Sequence, residues 1–296
     1  MSAGCAHFQA RDAEVPGPPK AETIELEGRG RVRVIDRNPS ARETVLLVHG
    51  YGSSSASYRP VVAELSTAFR VLAVDLPGFG ASDRFEGDFS PDAMADELVK
   101  ILDAKGVRRA HVVGHSWGGS IVLAFALRHP DRLGKLAVIS GWVWSDQLLP
   151  LMRWARVRGL GEFLFSLFYR EALGERLYLN FHDASLVSEE VLEDVEMQMD
   201  REGSIAVALA AARGMAVFEE NEKRYKTISA PTLLVWGRED AVSRVQFGEK
   251  LARQIPHARF VVIPSCGHIP MWECTPGTLG ALQDFLGTGD DEAAAQ

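Results

Sequence analysis

The segment GHSWGG (114–119) has the composition of a nucleophile elbow. Such an elbow presents a serine hydroxyl on a sharp turn between a strand and a helix, and small residues two positions before and after the serine leave room for the turn. The apolar run AHVV precedes the segment and a helical pattern follows it. We therefore predict that Ser116 is a nucleophile. The alternative is an inert serine in a glycine-rich turn.

A serine nucleophile needs a general base, and the base needs a carboxylate to orient it. His268 follows the apolar run RFVVIP, and Asp240 lies three residues past the run TLLVWG. Both residues therefore lie at carboxyl ends of strands, where α/β sheets place their sites. Asp146 is a weaker alternative acid. Four other histidines are expected to pack or to shape turns: His49, His111, His115 and His129.

The segment HGYG (49–52) follows the apolar run TVLLV, and its glycines let the backbone turn beneath a substrate. Acyl transfer needs hydrogen-bond donors where the carbonyl oxygen becomes negative. We expect the main-chain N–H groups of Tyr51 and Trp117 to be these donors, so that the Tyr51 side chain matters little by this route. A simple turn at a strand end is the alternative.

The elements that must position these residues alternate along the chain. Short apolar runs that suit strands buried on both faces alternate with segments of helical spacing, and an antiparallel hairpin precedes them. This alternation predicts an α/β fold with a mostly parallel, doubly wound sheet of about eight strands and helices on both faces. The runs lie at 24–26, 32–35, 44–50, 70–75, 110–116, 135–140, 232–237 and 259–264, and the helical segments at 57–66, 91–105, 117–129, 243–254 and 276–286.

One stretch interrupts the alternation, because it contains helical patterns but no convincing strand. It is far longer than an ordinary βα loop, so we expect it to have structure of its own. We interpret it as a helical cap over the carboxyl ends of the strands. The predicted organisation is a flexible arm (1–22), a first part of the core (23–141), the cap (142–227), a second part of the core (228–287) and a flexible tail (288–296).

Composition limits the classes of partner. The 296 residues carry a formal net charge of −8, which disfavours nucleic-acid binding because that depends on clustered positive charge. No apolar run reaches the length of a membrane span.

Without an apolar leader after Met1 we expect a cytoplasmic protein with reduced cysteines. The segment SAGC (2–5) leaves a lipoprotein or exported form as the alternative, if translation starts upstream. The sequence does not indicate an oligomeric state.

Five motifs together resemble the α/β-hydrolase superfamily, in its serine-hydrolase branch with a helical cap, over roughly Thr23 to Leu286. They are HGYG (49–52), DLPGFGASD (75–83), GHSWGG (114–119), GRED (237–240) and CGHIPMWE (266–273). The resemblance implies Ser116 as nucleophile, Asp240 as acid and His268 as base. It also implies that Tyr51 and Trp117 bind the oxyanion, that 75–83 is a structural loop, and that the cap shapes the substrate pocket.

The substrate is less clearly indicated, because this fold supports many reactions. A serine at position 116 disfavours the family members that use a carboxylate nucleophile. The segment CGHIPMWE resembles carbon–carbon bond hydrolases of aromatic ring-cleavage pathways, but these usually carry a tryptophan where this chain has Ile269. We expect hydrolysis of a carboxylic ester of a small apolar or aromatic substrate through an acyl-enzyme. Carbon–carbon bond hydrolysis of a ring-cleavage diketone is the alternative, and a non-catalytic small-molecule receptor is a third possibility. No cofactor or metal is expected.

Overall fold

A computed structural model describes residues 21–174, 177–187 and 200–287, with the side chains of 168–174 excepted. Its strands form one sheet in the order β1-β2-β4-β3-β5-β6-β7-β8, in which β3 to β8 run parallel and β1 and β2 antiparallel to their neighbours. The predicted fold class is confirmed. The strands are β1 (Ala21–Leu26), β2 (Gly30–Arg37), β3 (Thr44–Val48), β4 (Arg70–Val74), β5 (Ala110–His115), β6 (Leu133–Ile139), β7 (Thr232–Gly237) and β8 (Arg259–Ile263).

Ten helices lie in the described residues. They are α1 (Arg59–Leu65), α2 (Pro91–Ala104), α3 (Trp117–Arg128), α4 (Pro150–Trp154), α5 (Leu160–Gly174), α6 (Ser204–Gly214), α7 (Phe218–Asn221), α8 (Val245–Ala252), α9 (Pro270–Glu273) and α10 (Thr275–Gly287). Helix α2 begins as its sequence predicts, because the Ser90 hydroxyl accepts a hydrogen bond from the N–H of Ala93 and Pro91 occupies the first turn.

Helices cover both faces of the sheet, and each face has its own hydrophobic core. Val112 of β5 packs in one core with Leu98 of α2 and Ile121 of α3. The next residue, Val113, packs in the other core with residues such as Leu282 of α10. Successive side chains of a strand point to opposite faces, so a strand between two helix layers must be apolar throughout. This explains the unbroken apolar runs in the sequence.

The predicted boundary of the N-terminal arm differs from the start of the first strand. The arm was placed at 1–22, but Ala21 and Glu22 already belong to β1, where they pair with Ile35 and Val34 of β2. The hairpin is longer than its apolar residues indicate, because main-chain pairing continues past them. Residues 1–20, which include Cys5, and the tail 288–296 lie outside the described residues.

Between β6 and β7 the described residues form four helices, α4 to α7, and no strand. Their buried side chains, among them Met152, Phe165 and Phe218, join the larger core. The insertion therefore packs on the sheet domain through apolar contacts. The acidic stretch 188–199 lies outside the described residues, and the cap boundaries 142 and 227 stay predictions.

Candidate active site

The nucleophile elbow lies between β5 and α3. Ser116 adopts a φ of +53°, a conformation that costs a non-glycine residue about 1–3 kcal/mol and persists where the surroundings enforce it. A Cβ atom on Gly114 would lie 2.3 Å from the carbonyl oxygen of Gly118, and one on Gly118 would lie 2.3 Å from that of Val48. Both positions therefore exclude any side chain, which is the reason for the glycines that the sequence shows.

The structure brings Ser116, His268 and Asp240 together in the order that the sequence predicts. Nε2 of His268 lies 3.0 Å from Oγ of Ser116, and its Nδ1 lies 2.9 Å from Oδ2 of Asp240. All three residues are buried. Such a relay lets the imidazole accept the serine proton while the carboxylate orients the ring.

The second oxygen of Asp240 is also occupied. Its Oδ1 accepts hydrogen bonds from the N–H groups of Val242, at 2.9 Å, and Ser243, at 2.7 Å. These bonds fix the carboxylate plane, so that Oδ2 faces the imidazole. The alternative acid, Asp146, is 58% exposed and pairs with Lys250. The carboxylate that contacts His268 is therefore that of Asp240.

The HGYG turn lies directly against the nucleophile, since a Cβ atom on Gly50 would lie 3.0 Å from Cβ of Ser116. The ring of Tyr51 contacts that of Trp117 edge-on, with the centroids 6.1 Å apart. Trp117 is the first residue of α3, where main-chain N–H groups have no partner inside the helix. Both residues thus lie beside Ser116. That their main-chain N–H groups bind the oxyanion stays a prediction. The Tyr51 hydroxyl also donates to the carbonyl of Ala208 in α6.

The other histidines have structural surroundings. Nε2 of His49 accepts a hydrogen bond from the N–H of Leu76, and Nδ1 of His111 accepts one from Lys135. His129 contacts a carboxylate oxygen of Asp96. Desolvation by burial is the main cause that lowers the pKa of His49.

His115 differs from these because it contacts the candidate base. Its Nε2 lies 2.8 Å from the main-chain oxygen of His268, and the two rings lie 4.9 Å apart. Desolvation by burial, assisted by His268, lowers the pKa of His115 to about 3. The ring is therefore neutral near pH 7, and because the carbonyl can only accept, Nε2 carries the proton. The sequence interpretation assigned His115 to packing and did not predict this contact.

Two cysteines at the ends of the histidine loop form a disulfide rather than the reduced thiols that the sequence interpretation expected. Cys266 and Cys274 are bonded, with their Cα atoms 6.1 Å apart, inside the range that disulfides require. The loop through His268 returns on itself over eight residues, which brings the two side chains together. Counting cysteines does not reveal this geometry.

The same cysteines belong to a group of possible metal ligands, which also includes Glu273. The two sulfur atoms are bonded to each other, and the carboxylate of Glu273 accepts three main-chain N–H groups. These contacts use the ligand atoms, so the group does not have the chemistry of a metal site.

The stretch 151–170 of the insertion is rich in aromatic and other apolar residues. The structure shows both buried and exposed apolar side chains. Met152 and Phe165 are buried, whereas Trp154 is 53% and Phe163 59% exposed. Among the described residues, none of the helices combines the length and the apolar composition needed to cross a bilayer.

Comparison with known proteins decides the family. A family model described as the alpha/beta hydrolase fold matches residues 43–274. The chain belongs to the α/β-hydrolase family. Membership makes this chain an α/β-fold hydrolase by descent, in agreement with the elbow and with the three side chains gathered beside it.

Similar members of the α/β-hydrolase family include a 2-hydroxy-6-oxononadienedioate/2-hydroxy-6-oxononatrienedioate hydrolase of Paraburkholderia phymatum. It is 34% identical over 277 residues, which are 88% of this chain and 93% of that protein. A solved meta-cleavage product hydrolase, CumD of Pseudomonas fluorescens, superposes with a TM-score of 0.76 at 25% identity, over 90% of this chain and 97% of its own. A thermophilic esterase of Thermogutta terrifontis gives a TM-score of 0.70 at 28% identity, over 90% and 98%.

Proposed function

We propose that this α/β-hydrolase cleaves a carbon–carbon bond in a small vinylogous diketone of the 2-hydroxy-6-oxo-dienoate class. The observation that carries the proposal is the similarity to a hydrolase of such compounds over nearly the full length of both chains. The arrangement of Ser116, His268 and Asp240 supplies the chemistry that this reaction needs. This proposal replaces ester cleavage, the first expectation from the sequence.

In the proposed reaction the Ser116 hydroxyl attacks the ketone carbon while His268 accepts its proton. The negative charge that develops on the ketone oxygen is bound by the N–H groups of Tyr51 and Trp117. The substrate is cleaved as its 2,6-diketone tautomer, in which the 2-hydroxyl proton has moved to C5. Collapse of the adduct then breaks the bond between C5 and C6. The electron pair is delocalised through the C3–C4 double bond onto the C2 oxygen, which takes the proton from His268, so that the leaving group departs as a conjugated dienol.

The second half of the reaction releases the acid. Water loses a proton to His268 and attacks the acyl carbon, and the proton then returns to the Ser116 oxygen. Asp240 stabilises the imidazolium in both halves. One water is consumed, and the products are a carboxylic acid and a 2-hydroxy-dienoate.

Ester hydrolysis is the second candidate, and a specific residue favours it. Ile269 follows the candidate base at a position where carbon–carbon bond hydrolases that share its motif usually carry tryptophan. A solved esterase is 28% identical to this chain. The acyl-enzyme is common to both reactions, so the two candidates differ in the leaving group rather than in the roles of Ser116 and His268.

The two candidates are separated by measuring kcat/KM for 6-alkyl and 6-aryl 2-hydroxy-6-oxo-dienoates and for p-nitrophenyl esters of matched acyl groups. The proposal predicts that the dienoates are the better substrates by at least about tenfold, because their binding groups match the site in the transition state. A clear preference for the esters would favour the second candidate. Tight binding of a dienoate without turnover would instead indicate the receptor.

A further inference from the structure

The loop that carries His268 is held by two different parts of the molecule. On the core side, the Glu239 carboxylate accepts the N–H of Cys266 at 3.0 Å, and the Glu239 N–H donates to the Cys266 carbonyl at 3.0 Å. The His268 carbonyl accepts from His115. These contacts fix the loop to the β5 and β7 ends of the sheet.

On the other side, the loop is bonded to residues of the insertion. The N–H of His268 itself donates to the carbonyl of Asn180, at 2.7 Å. Asn180 ends a 3-10 turn of the insertion, at residues 177–180. The main chain of the candidate base thus has its N–H bonded to the insertion and its carbonyl to the core.

Glu273, the last residue of α9, is the side chain that joins the insertion to the loop. Its Oε2 accepts the N–H of Gly267 at 2.5 Å and that of His182 at 3.1 Å, and its Oε1 accepts the N–H of Asp183 at 2.7 Å. One carboxylate therefore binds Gly267 and two residues that lie 85 and 84 positions before it in the sequence. Hydrogen bonds to a carboxylate are about twice as strong as neutral ones.

The contact is also tight. A Cβ atom on Gly267 would lie 2.6 Å from the nitrogen of His182 and 2.7 Å from the carbonyl oxygen of Asn180. Gly267 is buried and does not adopt a positive φ. A side chain at this position would therefore push the two segments apart without straining the backbone of its own residue.

We propose that Glu273 is a positioning residue that ties the segment 180–183 of the insertion to the His268 loop, so that the position of the insertion sets the position of the base. The proposal rests on the proposed role of His268. The base must keep Nε2 near the Ser116 hydroxyl, and misplacement by about 1 Å can cost a hundredfold in rate. When the insertion is displaced from the sheet, the loop loses the acceptor of the His268 N–H and two of the donors to Glu273.

Two substitutions break this connection from opposite sides. Glu273→Gln places an amide donor against main-chain N–H donors. Gly267→Ala keeps the Glu273 charge and forces the two segments apart. Gly280→Ala in α10 is the matched control, because its Cβ meets no described atom within 4 Å beyond its own helix.

The probe is p-nitrophenyl acetate, whose hydrolysis needs an active serine but few contacts with the substrate pocket. The Ser116→Ala variant gives the background rate.

We expect both substitutions to lower kcat by about tenfold with little change in KM, because the base is misplaced while binding is retained. Hydrogen exchange should rise together in peptides covering 178–184 and 264–270. Gly280→Ala should resemble the wild type in every readout.

Three results would overturn the proposal. A lower unfolding temperature with unchanged kcat would make Glu273 merely structural. A fall in kcat for Glu273→Gln with wild-type kcat for Gly267→Ala would mean that the charge of Glu273, and not the connection to the insertion, acts on His268. Wild-type turnover no greater than that of Ser116→Ala would remove the proposed function as well, whereas the first two results leave that function intact.

Discussion

The elbow at the end of β5 and the helices inserted between β6 and β7 meet near Ser116, but they differ in how closely they are packed. At the elbow, glycine is the largest residue that fits positions 114 and 118. In the insertion, large apolar side chains such as Trp154, Phe163 and Leu179 are more than half exposed. Ser116 thus lies in a closely packed frame, whereas large exposed apolar side chains lie in the insertion, which reaches the candidate base through the hydrogen bond between His268 and Asn180.

In the sheet domain, the largest effect is expected for Asp240→Asn. The asparagine amide keeps the shape of the side chain, but it replaces the charged carboxylate that accepts the hydrogen bond from His268. We therefore expect kcat to fall by about 10⁴-fold. Steady-state kinetics beside an unfolding curve would measure this. A loss below tenfold would mean that another carboxylate serves as the acid, and Asp146→Asn is the control that should leave kcat unchanged.

Gly118→Ala tests how closely the elbow is packed. Its Cβ would lie 2.3 Å from the Val48 carbonyl oxygen, and overpacking of this kind costs about 1–3 kcal/mol in the free energy of unfolding. Denaturation in urea would measure it, with Gly280→Ala as the tolerant control. Equal stability of the two variants would contradict the packing described for the elbow.

The contrast within the insertion is tested by two neighbouring phenylalanines of α5. Phe165 is 1% exposed and Phe163 is 59% exposed. Phe165→Ala should cost about 3–5 kcal/mol, because it opens a cavity in the core. Phe163→Ala should stay within about 0.5 kcal/mol, as surface changes do. Comparable losses at both positions would show that a further surface covers Phe163.

A further prediction concerns pH. His115 has a pKa of about 3 in the folded protein and about 6.5 when unfolded. Between these values only the unfolded chain binds the proton, so the free energy of unfolding falls as the pH is lowered from 6.5, by up to about 1.4 kcal/mol per unit. His115→Gln should make this slope shallower. Identical slopes in the two proteins would mean that His115 is protonated in the folded state.

The sequence predicted the sheet and the three candidate catalytic residues because both leave signatures in residue type. A strand between two helix layers is apolar throughout, and Ser116, Asp240 and His268 each follow such a run. The first and last residues of the strands were predicted less accurately. For example, β6 begins at Leu133, two residues before the predicted start.

The contacts around the histidine loop were not predictable. Asn180 acts through its main-chain carbonyl, and the partners of Glu273 are main-chain N–H groups. Every residue has a carbonyl and nearly every residue an N–H, so such contacts leave no trace in residue type. The disulfide was missed for a related reason, since it depends on the path of the loop between Cys266 and Cys274.

The central claim is that Ser116 is the nucleophile that acts on the ketone carbon of a 2-hydroxy-6-oxo-dienoate. The most direct measurement is kcat/KM of wild type and Ser116→Ala on such a dienoate, followed by loss of its absorbance, with unfolding curves for both proteins. We expect turnover in the wild type, a fall of at least about 10⁴-fold in the variant and unchanged stability. Cleavage by Ser116→Ala within tenfold of the wild-type rate would contradict the claim.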